Sequence, residues 1–140
     1  MKAEGDKLLK TIFSGKRKTA VARAVLTEGT GVVKINGEYY NNLHEFKRLS
    51  IEEVLRINQR ITNNTKFNVD ITTKGGGEKS QIEAARLALA RAILEFTKSK
   101  TLREVMISYD KHMLIADVRR KEMYKPGDSK ARRKRQKSYR

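Results

Sequence analysis

The residues best suited to chemistry sit in the stretch Thr73-Lys74-Gly75-Gly76-Gly77-Glu78-Lys79-Ser80. A triple glycine followed by Lys-Ser ahead of a helix has the ingredients of a phosphate loop, whose backbone amides wrap a nucleotide. That loop needs the spacing G-x-x-x-x-G-K-[ST]. Here Thr73 stands in place of the first glycine and Glu78 in place of the second, and a carboxylate beside the cradle repels a nucleotide. Two other readings remain open for the glycines. They form a flexible strand-to-helix turn, or they let RNA phosphate come close to a helix N-terminus.

Other catalytic groupings find no motif. His44 and His112 are the two histidines and lie far apart in sequence. The pair His44-Glu45 lacks a second histidine four residues on, so it is not a zinc helix. With no cysteine in the chain, disulfides and thiolate-bound metals are excluded. The sequence therefore predicts a protein that is not an enzyme, with no metal and no cofactor.

What is abundant is positive charge. The chain has 32 basic and 16 acidic residues, a net of +16, and such a charge attracts polyanions rather than stabilising a fold. Lys16, Arg17 and Lys18 form one cluster, and Lys79 follows the glycines. The densest is the C-terminus, where seven of the eleven residues of Lys130–Arg140 are basic and none is acidic. From 119 to 140 there are 11 basic and 2 acidic residues, net +9, against net +7 for the 118 residues before them. This divides the chain into a loosely held arm (1–14), a globular body (15–118) and an extended basic tail (119–140). Like-charge blocks of this kind commonly act as nucleic-acid arms. Pro126-Gly127 argues against one continuous helix through the tail, and Tyr124 and Tyr139 are candidates for base stacking. Fully extended, 22 residues span roughly 70–80 Å, enough to enter a crevice of folded RNA closed to the body.

The elements that must hold these groups are legible from periodicity. "TAVARAVLT" (19–27) alternates as a strand, with Ala20, Ala22, Ala24 and Leu26 on one side and Val21, Arg23 and Val25 on the other. "VVKI" (32–35) and "EYY" (38–40) flank Asn36-Gly37, the favoured two-residue hairpin turn. Ser50 with Glu53, Ser80 with Glu83, and Thr101 with Glu104 have capping-box spacing, which predicts helices over 51–61, 80–96 and a shorter stretch from 101. "KFNVDITT" (66–73) alternates as a fourth strand. In the strongest helix, Ile82, Ala85, Leu89, Ile93 and Phe96 make one apolar stripe. Its many alanines would let it lie close to a sheet, and Arg86 and Arg91 are read as solvent-facing. The fold class is α+β: a two-layer β-β-β-α-β-α domain, helices on one face of a four-stranded sheet. About 100 body residues suffice for a core without metal or disulfide. The longest apolar runs, such as Met113-Leu114-Ile115-Ala116, are too short for a signal peptide or membrane span. Neither membrane nor small-molecule substrate is expected.

Three motifs in order, "GKRKTAVARA" (15–24), "KGGGEKSQIEAARLALARAIL" (74–94) and "DVRRKEMYKPGDSKARRKRQKSYR" (117–140), resemble the S-nine family of small-subunit ribosomal proteins over about residues 8–140. The ending Gln136-Lys137-Ser138-Tyr139-Arg140 is similar to the archaeal and eukaryotic branch, bacterial members tending to end in Ser-Lys-Arg. The resemblance implies a left-handed strand-helix-strand crossover, where the general rule gives a right-handed one. It also implies a cytoplasmic, ribosomal protein in translation. The body would dock on rRNA in the small-subunit head beside neighbouring head proteins. Lys16, Arg17, Lys18, Gly75, Gly76, Gly77, Lys79, Arg119 and Arg120 match the rRNA-binding positions. Arg132, Arg133, Lys134, Arg135, Lys137, Ser138, Tyr139 and Arg140 would reach the phosphates of the peptidyl-site tRNA anticodon stem-loop. Tyr139 stands where the bacterial form has Lys, so stacking and ionic contact both stay open there. Two rival readings explain less. A non-ribosomal RNA or DNA architectural protein would share the charge but not the ordered motifs. A protein cofactor of an RNA-processing ribozyme would need an Arg-rich helix facing RNA, which the Ala-rich helix here is not.

Overall fold

The computed structural model describes residues 11–124, 126 and 139. Five strands and three helices follow in the order β1 (Ile12–Arg17), β2 (Ala20–Glu28), β3 (Val33–Ile35), β4 (Glu38–Tyr39), α1 (Glu45–Thr62), β5 (Phe67–Lys74), α2 (Glu78–Thr97) and α3 (Lys100–Tyr109). The α+β class is as expected, but the sheet has five strands, not four, in the order β1-β2-β5-β3-β4. The additional strand is β1, which takes in residues 12–14 of the stretch read as an arm. It escapes a periodicity search because its inward face carries Phe13, Gly15 and Arg17, a single apolar side chain in three positions. β1, β2 and β5 pair antiparallel, while β3 pairs parallel to β5. The chain must therefore cross over through α1 between β3 and β5, and this is the connection to which the resemblance assigns a left hand.

Alternation decides which face is covered. Ala20, Ala22 and Ala24 of β2, Val33 and Ile35 of β3, and Phe67, Val69 and Ile71 of β5 are buried. They share one core with Ile51 and Val54 of α1, the Ile82–Ala85–Leu89–Ile93 stripe of α2, and Leu102 and Met106 of α3. All three helices lie on this side. α2 crosses β1, β2 and β5 directly, and Gly15 shows how closely. A methyl on its Cα would overlap the Ala84 carbonyl oxygen and stand 2.8 Å from the Ala88 amide nitrogen. Small residues on both partners bring strand and helix backbones together, as the alanine content predicts.

The Asn36-Gly37 turn forms as read. Both residues have positive φ, 51° and 89°, the requirement of a type I′ hairpin. The Asn36 side chain also ties this hairpin to β5, donating to Thr73 Oγ1 at 2.9 Å and accepting from the Thr73 amide at 2.8 Å.

The capping boxes do not mark the helix starts. α1 begins at Glu45, and Ser50 lies inside it, donating to the Phe46 carbonyl. α2 begins at Glu78 with Gly77 as its cap, and α3 is capped by Ser99, whose hydroxyl accepts from the Leu102 amide. Ser/Thr with Glu three residues on recurs inside charged helices too, so the spacing alone does not distinguish a cap.

Candidate nucleic-acid interface

Segments distant in sequence meet at one end of the sheet. β1 and β2 are joined by the two-residue turn Lys18-Thr19, with Lys18 at φ 52°. Lys16 and Lys18 are exposed. The end of β5 pairs alongside, Lys74 opposite Val21, so the glycine turn emerges next to the hairpin tip. Gly75 and Gly76 have φ of 75° and 67°, and added methyls would come within 2.8 Å of the Thr19 carbonyl oxygen and 3.0 Å of Ala20. These two glycines are demanded by the protein's own backbone. Gly77 is different: its φ is −95° and nothing lies within 4 Å of where its Cβ would be. Its surroundings at the N-terminus of α2 are open, with Lys79 exposed in the first turn.

The tail root joins the same region from the other side. Asp117 is buried although it is an acid, at 7% exposure. Its carboxylate accepts from Arg119 Nη2 at 2.7 Å and Nε at 2.9 Å, from the Arg119 amide at 2.9 Å, and from the Arg17 guanidinium. The Arg119 side chain and amide, with Arg17, hold this carboxyl far below the usual carboxylate range. Arg17 also pairs with Glu83 of α2, which raises its own pKa further. One carboxylate thus ties the first tail residue to a strand, and through Arg17 to the main helix.

Of the expected rRNA-binding residues, Arg17 is therefore committed inward, its side chain 18% exposed. Arg119 keeps 77% exposure while paired. Arg120 is exposed, its guanidinium near the Asp117 and Arg119 carbonyls. Beside this junction lies an open cavity of about 210 Å3, lined by Lys16, Arg86, Asp110 and His112 among others. Arg86 is not solvent-facing as the sequence suggested. It bridges Glu53 of α1 and Asp110, both at 2.7 Å. Arg91 likewise turns inward, donating to the Ser14 and Leu114 carbonyls. A helix packed this close to a sheet leaves its flanking arginines within reach of backbone oxygens and acids. Sequence reasoning missed Asp117, Glu83 and Arg86. The one available signal was an acid placed between an apolar run and the basic tail.

Tyr139 is exposed. Arg132, Arg133, Lys134, Arg135, Lys137, Ser138 and Arg140 lie outside the described residues. Among the described residues no cluster of His, Asp or Glu could hold a metal ion, and no helix is long and apolar enough to cross a membrane.

Comparison with known proteins decides the family. The family described as Ribosomal protein S9/S16 matches residues 15–140. The chain belongs to this family. It is 42% identical over 129 residues to the small ribosomal subunit protein uS9 of Methanococcus vannielii, covering 90% of this chain and 95% of that one. With uS9 of two Methanococcus maripaludis strains it shares 43% identity over 130 residues, at the same coverage. The S9 match takes in the hairpin, the glycine turn and the tail. These are structural proteins of the small ribosomal subunit, not enzymes, and their RNA-binding role accounts for the charge.

Proposed function

We propose that the body docks on rRNA of the small-subunit head through the end of the sheet where hairpin, glycine turn and tail root meet. Lys16, Lys18, Lys79, Arg119 and Arg120 supply phosphate contacts, and Gly77 leaves room for an RNA backbone oxygen at the α2 N-terminus, where Lys47 pairs with Glu78 and offsets its charge. Arg17 serves this interface from behind, by fixing the tail root. Residues 119–140 then extend from the body. Arg132, Arg133, Lys134, Arg135, Lys137, Ser138, Tyr139 and Arg140 contact phosphates of the peptidyl-site tRNA anticodon stem-loop in the cytoplasmic ribosome. Neighbouring head proteins complete the partners.

The observation that supports this most is the convergence of three cationic segments, from distant parts of the sequence, on one end of the domain. A tail that contacts phosphates alone does not discriminate among tRNAs, which suits a site used by every elongator tRNA. Crosslinking in cells, with RNA recovered separately from body and tail, tests the reading. Small-subunit rRNA on the body and the tail root, residues 15–120, with tRNA confined to the tail beyond them, is the expected result. Scattered RNA or DNA on both parts would instead favour a general polyanion binder.

A further inference from the structure

The sheet has a second face, and none of the described elements covers it. Register and alternation place Ile12, Ser14 and Lys16 of β1, Val21, Arg23 and Val25 of β2, Lys34 of β3, Tyr39 of β4, and Asp70, Thr72 and Lys74 of β5 on it. Three of its cross-strand rows carry the charge. Lys16, Val21 and Lys74 form the first, Ser14, Arg23 and Thr72 the second, and Ile12, Val25, Asp70, Lys34 and Tyr39 the third.

Charge is distributed unevenly between this face and the helical layer. The three helices together hold nine basic and seven acidic residues, a net of +2 over a much larger surface. Several of those cations are neutralised, as in Lys47–Glu78, Arg56–Glu52 and Arg86–Glu53. The open face holds Lys16, Arg23, Lys34 and Lys74 against Asp70 alone, a net of +3. None of these four cations forms an ion pair among the described residues, although Lys34 lies over the Tyr39 ring at 5.0 Å. Between the cations stand the short side chains Ser14, Val21, Val25 and Thr72. The first row also runs without a break into the interface already described, since Lys16 leads to the hairpin tip and Lys74 to the glycine turn.

We propose that this open face is a second RNA-docking surface of the body, with Arg23 and Lys74 as its central phosphate contacts. It rests on the reading that the body binds small-subunit rRNA and extends that contact from the end of the sheet onto its face. The ligand is RNA backbone rather than bases. Cations and hydroxyls are present to contact phosphate and ribose, while one aromatic ring, Tyr39, is too few for a stacking platform.

The test compares two charge-matched double variants of the full-length protein. R23E/K74E alters the open face. R60E/R103E alters exposed helical positions that carry no ion pair in the structure. Each is first checked for folding by circular dichroism. Binding to a small-subunit rRNA transcript and to an unrelated RNA of equal length is then measured across salt concentrations. The open-face variant should lose roughly tenfold to a hundredfold in rRNA affinity, with the log-log salt slope shallower by about 1.5, as for two lost phosphate contacts. The helical variant should change less than about threefold. Equal losses in both would mean that net charge alone matters, and no loss in either would leave the face to a protein neighbour. Each of those outcomes overturns the proposal. Should the wild type bind the unrelated RNA equally well, the rRNA reading itself fails. Selective binding with an indifferent open face refutes only the surface assignment.

Discussion

Asp117 shows how one side chain can tie a cationic segment to a folded core. The chain leaves the core at Leu114, and from Arg119 onward it is dominated by cations. A buried carboxylate between the two has partners on both sides, Arg17 and Arg119. Removing one member of such a group leaves the others facing each other unneutralised. Asp117→Ala should lower the melting temperature by several degrees, and it should free the tail root so that protease cuts earlier in 115–121. The pH dependence has a definite sign. Because the folded carboxyl is depressed, its contribution is complete above the ordinary value of about 4 and is lost as pH falls toward the folded one. The melting-temperature gap between wild type and Asp117→Asn should thus stay constant from about pH 8 to 5 and shrink below about 4. A gap that instead varied through neutral pH would point to another titrating group. The position was barely legible in sequence. "MLIADVRR" shows an acid among apolar residues, but not that its partner lies 100 residues earlier.

At the level of elements, sequence periodicity found what packing makes regular and missed what packing makes exceptional. The alanine face of β2, the alternation of β5 and the stripe of α2 all reflect one buried surface. β1 is held against that same surface by an absence, the missing side chain of Gly15, which no hydrophobic pattern records. Gly15→Ala should therefore cost about 3 kcal/mol or more, since backbone on both sides must separate to admit a methyl; chemical denaturation measures it. Gly77→Ala is the counterpart. With ordinary backbone geometry and open space around it, the change should move stability by less than about 0.5 kcal/mol. If it weakens rRNA binding at unchanged stability, Gly77 serves close approach of phosphate. If it alters neither, the glycine is only a turn residue. This separates the two readings that sequence left open, after structure has given Gly75 and Gly76 to the turn.

For the whole molecule the governing fact is where the charge lies relative to the core. The described core residues all precede Val118, so the densest block of charge lies beyond the part of the chain that folds around the core. Removing Lys130–Arg140 takes away seven of the 32 basic residues and no acidic one, and lowers the net charge from +16 to +9. The segment begins well past Asp117, so the ion-pair anchor remains and the melting temperature should change by no more than about 2 °C. Binding should change greatly. If each of about seven lost cations had neutralised one phosphate of a single strand, the log-log salt slope should become shallower by about 5. The truncated body should still enter small subunits, because every residue proposed to contact rRNA precedes Lys121, and its subunits should hold peptidyl-site tRNAs more weakly by a similar factor for every tRNA. Sucrose-gradient fractionation followed by tRNA binding distinguishes the two parts. Failure of the truncated chain to enter subunits would mean that the tail contributes to assembly itself, and the division of labour inferred from charge and burial would be wrong.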